Sequence, residues 1–144
     1  MGVDLGSRRT GIAVSDLTGT LAGGLEVIES SGLKECAEKV LDRVKKYDVS
    51  QIVLGYPINL NGTKGTSSQI AEKFKEMLEH LAAPHGLHIT VTLFDERLST
   101  SLAHVYMNQT GIKSKERKEK IDMLSAQIIL QNYMDSRKIE KDKL

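Results

Sequence analysis

The chain has a single cysteine, Cys36, in 144 residues. That excludes an internal disulfide and any cysteine-rich zinc site. The apolar residues around Cys36 recur at helical spacing, so it reads as a core side chain rather than a reactive thiol. No stretch approaches the roughly 18 consecutive apolar residues that a membrane helix needs. The N-terminus lacks the charged-then-apolar pattern of a signal peptide. His80, His85, His88 and His104 show no zinc-ligand spacing. A surplus of one charge sign is missing too: the formal net charge is +1, so any role with nucleic acid rests on a local basic patch. These absences predict a protein of a reducing compartment, the cytoplasm, with no membrane partner. What is present, 40% hydrophobic and 27% charged residues, suits one globular domain with one core. The predicted domain spans residues 1–136, with 137–144 as a frayed tail.

Patterning along the chain predicts the order β-β-β-α-β-α-β-α-α, an α/β domain with a mixed sheet covered by helices. Gly2–Ser7 and Thr10–Asp16 read as strands joined by a Ser-Arg-Arg turn, and Leu25–Glu29 as a third strand after a turn at Thr18-Gly19-Thr20. From Leu33 to Tyr47, Leu33, Cys36, Ala37, Val40, Leu41 and Val44 follow helical spacing. The helix leads into the apolar strand Gln51–Gly55, which marks a crossover into a buried sheet. Tyr56–Ser68 reads as a long loop, with Ser67 or Ser68 capping a helix that runs to about Ala82. His88–Phe94 alternates as the last strand. A helix from Ser99 or Thr100 through Met107 follows, and then a final helix from about Lys118 to Met134.

Three acids stand in apolar settings. Asp4 ends the first strand, Asp95-Glu96 ends Val91-Thr92-Leu93-Phe94, and Asp122 lies within Ile121-Asp122-Met123-Leu124-Ser125-Ala126. A carboxylate on an apolar face is costly to bury unless a cation compensates it. Taken singly, each has an ordinary reading: a solvated hairpin Asp, a charged turn, an Asp favoured near a helix start. Adjacent strand residues point to opposite faces, so only one of Asp95 and Glu96 can aim at a common site unless the strand has ended. Taken together, three converging carboxylates repel one another. A hard divalent cation relieves that repulsion, and Mg²⁺ favours a few carboxylates plus waters and phosphates. Two such ions about 3.5–4 Å apart suit phosphodiester hydrolysis.

The loop from Gly55 to Gly65 offers amides, hydroxyls and Lys64 to a phosphate backbone, but it lacks the Gly-Lys-Ser/Thr spacing of a P-loop. Lys113, Lys115, Arg117, Lys118 and Lys120 form the one biased charge run. Such a run grips phosphates or is simply solvated.

The motifs in combination resemble the YqgF/RuvX family. They are Val3-Asp4-Leu5-Gly6 with Gly11-Ile12-Ala13-Val14-Ser15-Asp16, Gly55-Tyr56-Pro57 with Asn61-Gly62-Thr63, Asp95-Glu96-Arg97-Leu98-Ser99-Thr100, and Lys120-Ile121-Asp122 with Ala126 and Ile129-Leu130-Gln131. The resemblance covers Gly2 to about Asp135. That family comprises Holliday-junction-resolvase-like proteins described as pre-16S rRNA nucleases. The resemblance implies a ribonuclease H-like fold: a five-stranded mixed sheet, three strands antiparallel and then two parallel, flanked by helices. It implies a Mg²⁺- or Mn²⁺-dependent nuclease acting on structured nucleic acid, in bacteria the 5′ end of precursor 16S rRNA. By position, Asp4 and Asp122 match the first and last metal-binding acids, and the Asp95-Glu96 pair matches the remaining one, with Glu96 ahead of Asp95. Tyr56 stands where the family more often has Leu or Phe, and Ser125 where Ala is usual. Related resolvases place an acid on the central strand where Gly55-Tyr56-Pro57 has none. Either Glu96 substitutes for it, or the site holds one metal well.

In the nuclease reading Arg8, Arg9, Asn61, Lys64, Arg97, Lys118 and Lys120 bind the nucleic acid, and Asp4, Glu96 and Asp122 hold the metal. The alternatives are a resolvase acting on branched DNA and a non-catalytic nucleic-acid-binding module. An ATP-binding fold built on the same Asp-x-Gly hairpin needs a second lobe that this length does not provide. The protein is expected as a monomer or homodimer; symmetric cutting of a junction requires the dimer.

Overall fold

The computed structural model describes residues 1–57, 65–95 and 114–142. The strands are β1 (Gly2–Asp4), β2 (Arg9–Ser15), β3 (Ala22–Glu29), β4 (Gln51–Tyr56) and β5 (Thr90–Asp95). The helices are α1 (Leu33–Lys46), α2 (Thr66–Ala82) and α3 (Ser114–Asp142), with a 3₁₀ turn at Ala83–His85. The sheet order is β3-β2-β1-β4-β5. β1–β2 and β2–β3 pair antiparallel, and β1–β4 and β4–β5 pair parallel. The expected mixed sheet is thus present. The helix expected over Ser99–Met107 lies outside the described residues.

Each sheet face has its own sequence logic. In β2 the large residues Ile12 and Val14 alternate with the small Gly11 and Ala13. Ile12 and Val14 join Val3, Ile28, Ile52, Leu54 and Val91 beneath α1 and α2. α1 presents Cys36, Ala37, Val40, Leu41 and Val44 to that core, as the helical spacing predicts, and α2 presents Ala71, Phe74 and Leu78. Burial of each large side chain contributes about 1.5–3 kcal/mol. Cys36 is buried, with Sγ 3.3 Å from Thr10 Oγ1, consistent with a core role.

The other face carries α3. Ala13 and Val53 meet Ala126, Ile129 and Leu130 there. Phe94 packs edge-to-face on Tyr133, with ring centroids 5.6 Å apart. Gln51 Nε2 donates to Tyr133 Oη at 2.7 Å. Gln131 pins the helix to the β2–β3 turn: its Oε1 accepts from Ala22 N–H at 2.9 Å, and its Nε2 donates to the Thr20 carbonyl at 2.9 Å.

Several boundaries differ from the sequence reading. Ser67 and Ser68 lie inside α2, whose N-cap is Gly65. Ser68 is buried and its hydroxyl donates to the Pro57 carbonyl, tying the first turn of α2 to the end of β4. α3 begins at Ser114 and continues past Met134 to Asp142. Glu116 and Lys120 sit at i,i+4 in its first turns, and Arg137 pairs with Glu140 at 3.6 Å near its end. Such pairs support a helix that little packing holds. Among the described residues no helix is long and apolar enough to cross a membrane.

Candidate metal and nucleic-acid site

Asp4 is the last residue of β1 and pairs across the ladder with Gly11 of β2. β1 is an interior strand, bonded to β2 on one side and β4 on the other, so the position of Asp4 follows from a strand held on both flanks. Alternation places Asp4 on the same face as Gly2, which is the face covered by α3.

Two glycines make the approach of α3 close enough to matter. A Cβ at Gly11 would stand 1.9 Å from the Asp122 carbonyl oxygen, and one at Gly2 would stand 2.7 Å from the Ala126 carbonyl oxygen. Helix backbone therefore rests directly on strand backbone. Because Gly11 is the ladder partner of Asp4, the turn of α3 carrying Asp122 lies beside Asp4. Asp122 is well inside α3, which excludes a helix-capping role for it.

The Asp122 side chain is 22% exposed, and its Oδ2 lies 3.4 Å from Arg9 Nε. Oδ2 itself is buried and has no hydrogen-bond partner; the guanidinium compensates its charge without an aligned N–H. Burial pushes the Asp122 carboxyl above its ordinary range, Arg9 pulls it back, and Glu119 adds to the rise. The folded chain thus binds this proton more tightly than the unfolded chain does. The stability the protonated carboxyl contributes is fully present below its unfolded pKa and is lost as pH rises through the raised folded value. In EDTA, Asp122→Asn is therefore expected to melt above the parent at neutral pH. The gap should close as pH falls toward about 4. Melting curves across that range check this, and a pH-independent gap would rule it out.

Asp95 closes β5 opposite Tyr56. Its neighbour Phe94 packs on α3, so alternation turns Asp95 to the other face, the side of Tyr56 and Leu93. Asp95 is not brought together with Asp4 and Asp122, because the strand is still regular where it stands. Glu96, Arg97, Asn61 and Lys64 lie outside the described residues. Among the described residues no three His, Cys, Asp or Glu side chains form a metal-binding group; the Asp122 main chain rests on Gly11, the ladder partner of Asp4.

Of the basic candidates, Arg9 adjoins Asp122 and Arg8 is exposed in the turn after β1. Lys118 is exposed one helical turn before Asp122, on the same flank of α3. Lys120 is exposed two residues from Asp122, which turns it to the far side of the helix. The sequence reading assigned Arg9 to nucleic acid and missed its pairing with Asp122. It also missed the Gly2–Gly11 seam. The signal for the seam was the small–large alternation of Gly11, Ile12, Ala13 and Val14, which marks a strand face open to close helix approach.

Comparison with known proteins agrees with this architecture. The family model described as "RuvX: Holliday junction resolvase" matches residues 1–136. A protein of Ruminiclostridium cellulolyticum named "Putative pre-16S rRNA nuclease" is 40% identical over 136 residues, 94% of this chain and 92% of its own. One of the same name from Thermoanaerobacter pseudethanolicus is 41% identical over 139 residues, 96% of each chain. Among solved structures, T. thermophilus RuvC in complex with Holliday junction substrate superposes with a TM-score of 0.58 at 15% identity, covering 94% of this chain and 92% of that one. That likeness establishes the ribonuclease H-like fold. The match over residues 1–136 and the identities of those relatives show that the chain belongs to the RuvX family.

Proposed function

We propose that the protein is a divalent-metal-dependent endonuclease that trims the 5′ end of precursor 16S rRNA. The carrying observation is the seating of the Asp122 turn of α3 on Gly11, the ladder partner of Asp4, by a helix that rests on strand backbone. Membership of a family whose relatives carry a nuclease name supports it.

The residues fit a hard cation. Both are carboxylates, and one Asp122 oxygen is buried with no hydrogen bond, an atom that a cation would satisfy. Asp4 and Asp122 would hold Mg²⁺ or Mn²⁺ together with Glu96, the acid that the family resemblance favours. When bound, the metal supplies Lewis-acid activation of water and neutralises charge at the scissile phosphate. Arg9 balances the charge of the Asp122 carboxylate, Nε lying 3.4 Å from Oδ2, and offers its remaining nitrogens to a phosphate oxygen. Arg8 and Lys118 extend this positive rim, and Lys64, Asn61 and Arg97 are assigned the same role. Water attacks phosphorus and releases one proton to solvent, the bridging P–O bond breaks, and the oxygen of the departing strand takes a proton from solvent.

The substrate test uses fragments of precursor 16S rRNA and synthetic four-way DNA junctions, each with Mn²⁺ or with EDTA. Mn²⁺-dependent cleavage of the RNA, absent in EDTA, is expected. Cleavage of junctions in preference to RNA would transfer the assignment to branched DNA, which the family description favours. Binding without cleavage of either substrate would leave a non-catalytic nucleic-acid module.

A further inference from the structure

Among the described residues two buried side-chain oxygens lack a hydrogen-bond partner, Asp122 Oδ2 and Ser125 Oγ. They stand one turn apart on α3. Arg9 accounts electrostatically for the first. Nothing among the described residues accounts for the second, although Ser125 is 0% exposed. A serine within a helix commonly returns its hydroxyl to the carbonyl four residues back; Ser125 does not.

The placement of Ser125 follows from its neighbours. Ala126 lies over Gly2 of β1, while Met123 and Gln127 flank Gly24 of β3. Ser125 therefore occupies the opposite flank of the helix, toward β4. Helical side chains lean toward the N-terminus, which carries the hydroxyl toward the turn that holds Asp122. On β4 the pairings Gly2–Val53 and Val3–Leu54 put Gly55 level with Asp4, and Gly55 brings no side-chain donor to that level.

We infer that Ser125 Oγ is a hydrogen-bonding partner for the hydration water of a divalent cation held by Asp4 and Asp122, making Ser125 a positioning residue for the metal. A hydroxyl both donates and accepts, so it suits a water whose orientation the cation fixes. This rests on the metal-dependent reading above and adds a residue to it.

The test titrates Mn²⁺ into the full chain, the Ser125→Ala variant and the Asp122→Asn variant, with free Mn²⁺ read by electron paramagnetic resonance. The melting temperature of each metal-free protein is measured alongside. Ser125→Ala is expected to bind Mn²⁺ about tenfold or more weakly. Its metal-free melting temperature is expected to match or exceed the parent's, because the orphaned hydroxyl is gone. Parent-like Mn²⁺ affinity in Ser125→Ala would overturn the inference. So would weaker binding accompanied by a lower metal-free melting temperature, which assigns the hydroxyl to packing alone. If parent and Asp122→Asn both fail to bind Mn²⁺, the metal-dependent reading falls, and this inference with it. If Asp122→Asn loses Mn²⁺ while Ser125→Ala keeps it, only the serine assignment fails.

Discussion

Replacing Asp4 by asparagine should lower Mn²⁺-dependent RNA cleavage by about 10²–10³-fold and leave the melting temperature of the metal-free protein close to the parent's. The two side chains have nearly the same shape, and Asp4 is held by main-chain pairing to Gly11. What changes is one negative charge at the cation. A bound metal contributes several kcal/mol of transition-state stabilisation, and each loss of about 1.36 kcal/mol is tenfold in rate. RNA binding measured in EDTA should survive, since the basic rim is untouched and one less carboxylate faces the phosphates. Single-turnover cleavage and a parallel binding titration check both halves. Parent-like cleavage by Asp4→Asn would remove Asp4 from the chemistry.

The second large effect needs only one methyl group. Gly11→Ala places a Cβ 1.9 Å from the Asp122 carbonyl oxygen and 2.5 Å from its carbonyl carbon. Both are main-chain atoms, so no rotamer change relieves the clash, and α3 must lift from β2. Overpacking of this kind costs about 3 kcal/mol or more, roughly a 10 °C fall in melting temperature for a domain of this size. Activity should fall further than stability does, because the lift carries Asp122 away from Asp4. Gly23→Ala is the control: nothing lies within 4 Å of its added Cβ, and its melting temperature should stay near the parent's. Equal melting temperatures for the two variants would show that the helix does not rest on the strand as described.

Legibility differed with the kind of signal each element carries. α1 was readable because one stripe of Cys36, Ala37, Val40, Leu41 and Val44 is buried while charged residues cover the other side. The first turn of α3, residues 114–117, was not readable as helix. Glu116 is exposed, so no apolar stripe announces that turn and it reads only as part of a charge run. The end of α3 was missed for the same reason, since residues 137–142 are exposed throughout.

At the site, Asp4 and Asp122 were identifiable as acids in apolar surroundings, and the structure seats the Asp122 turn of α3 on Gly11, the ladder partner of Asp4. Their mutual position was not identifiable, because it depends on Gly11 and Gly2 meeting helix backbone. The pairing of Arg9 with Asp122 joins opposite ends of the chain and has no local signature. The choice within Asp95-Glu96 needed the ladder register, Tyr56 against Asp95, to say which face Asp95 takes, and Glu96 lies outside the described residues.

The seam between α3 and the sheet also bears on how the protein can evolve. Where a helix sits on a sheet through interlocking side chains, each exchange of a core residue shifts the helix, and a site straddling the two drifts with it. Here the spacing between the two acids is set by main chain against main chain at Gly2 and Gly11. Residues such as Ile129 and Leu130 can therefore exchange for other apolar side chains while the acids keep their separation. The lineage is free to retune its thermal tolerance through the interior of α3, provided that two hydrogen atoms, the side chains of two glycines, never grow.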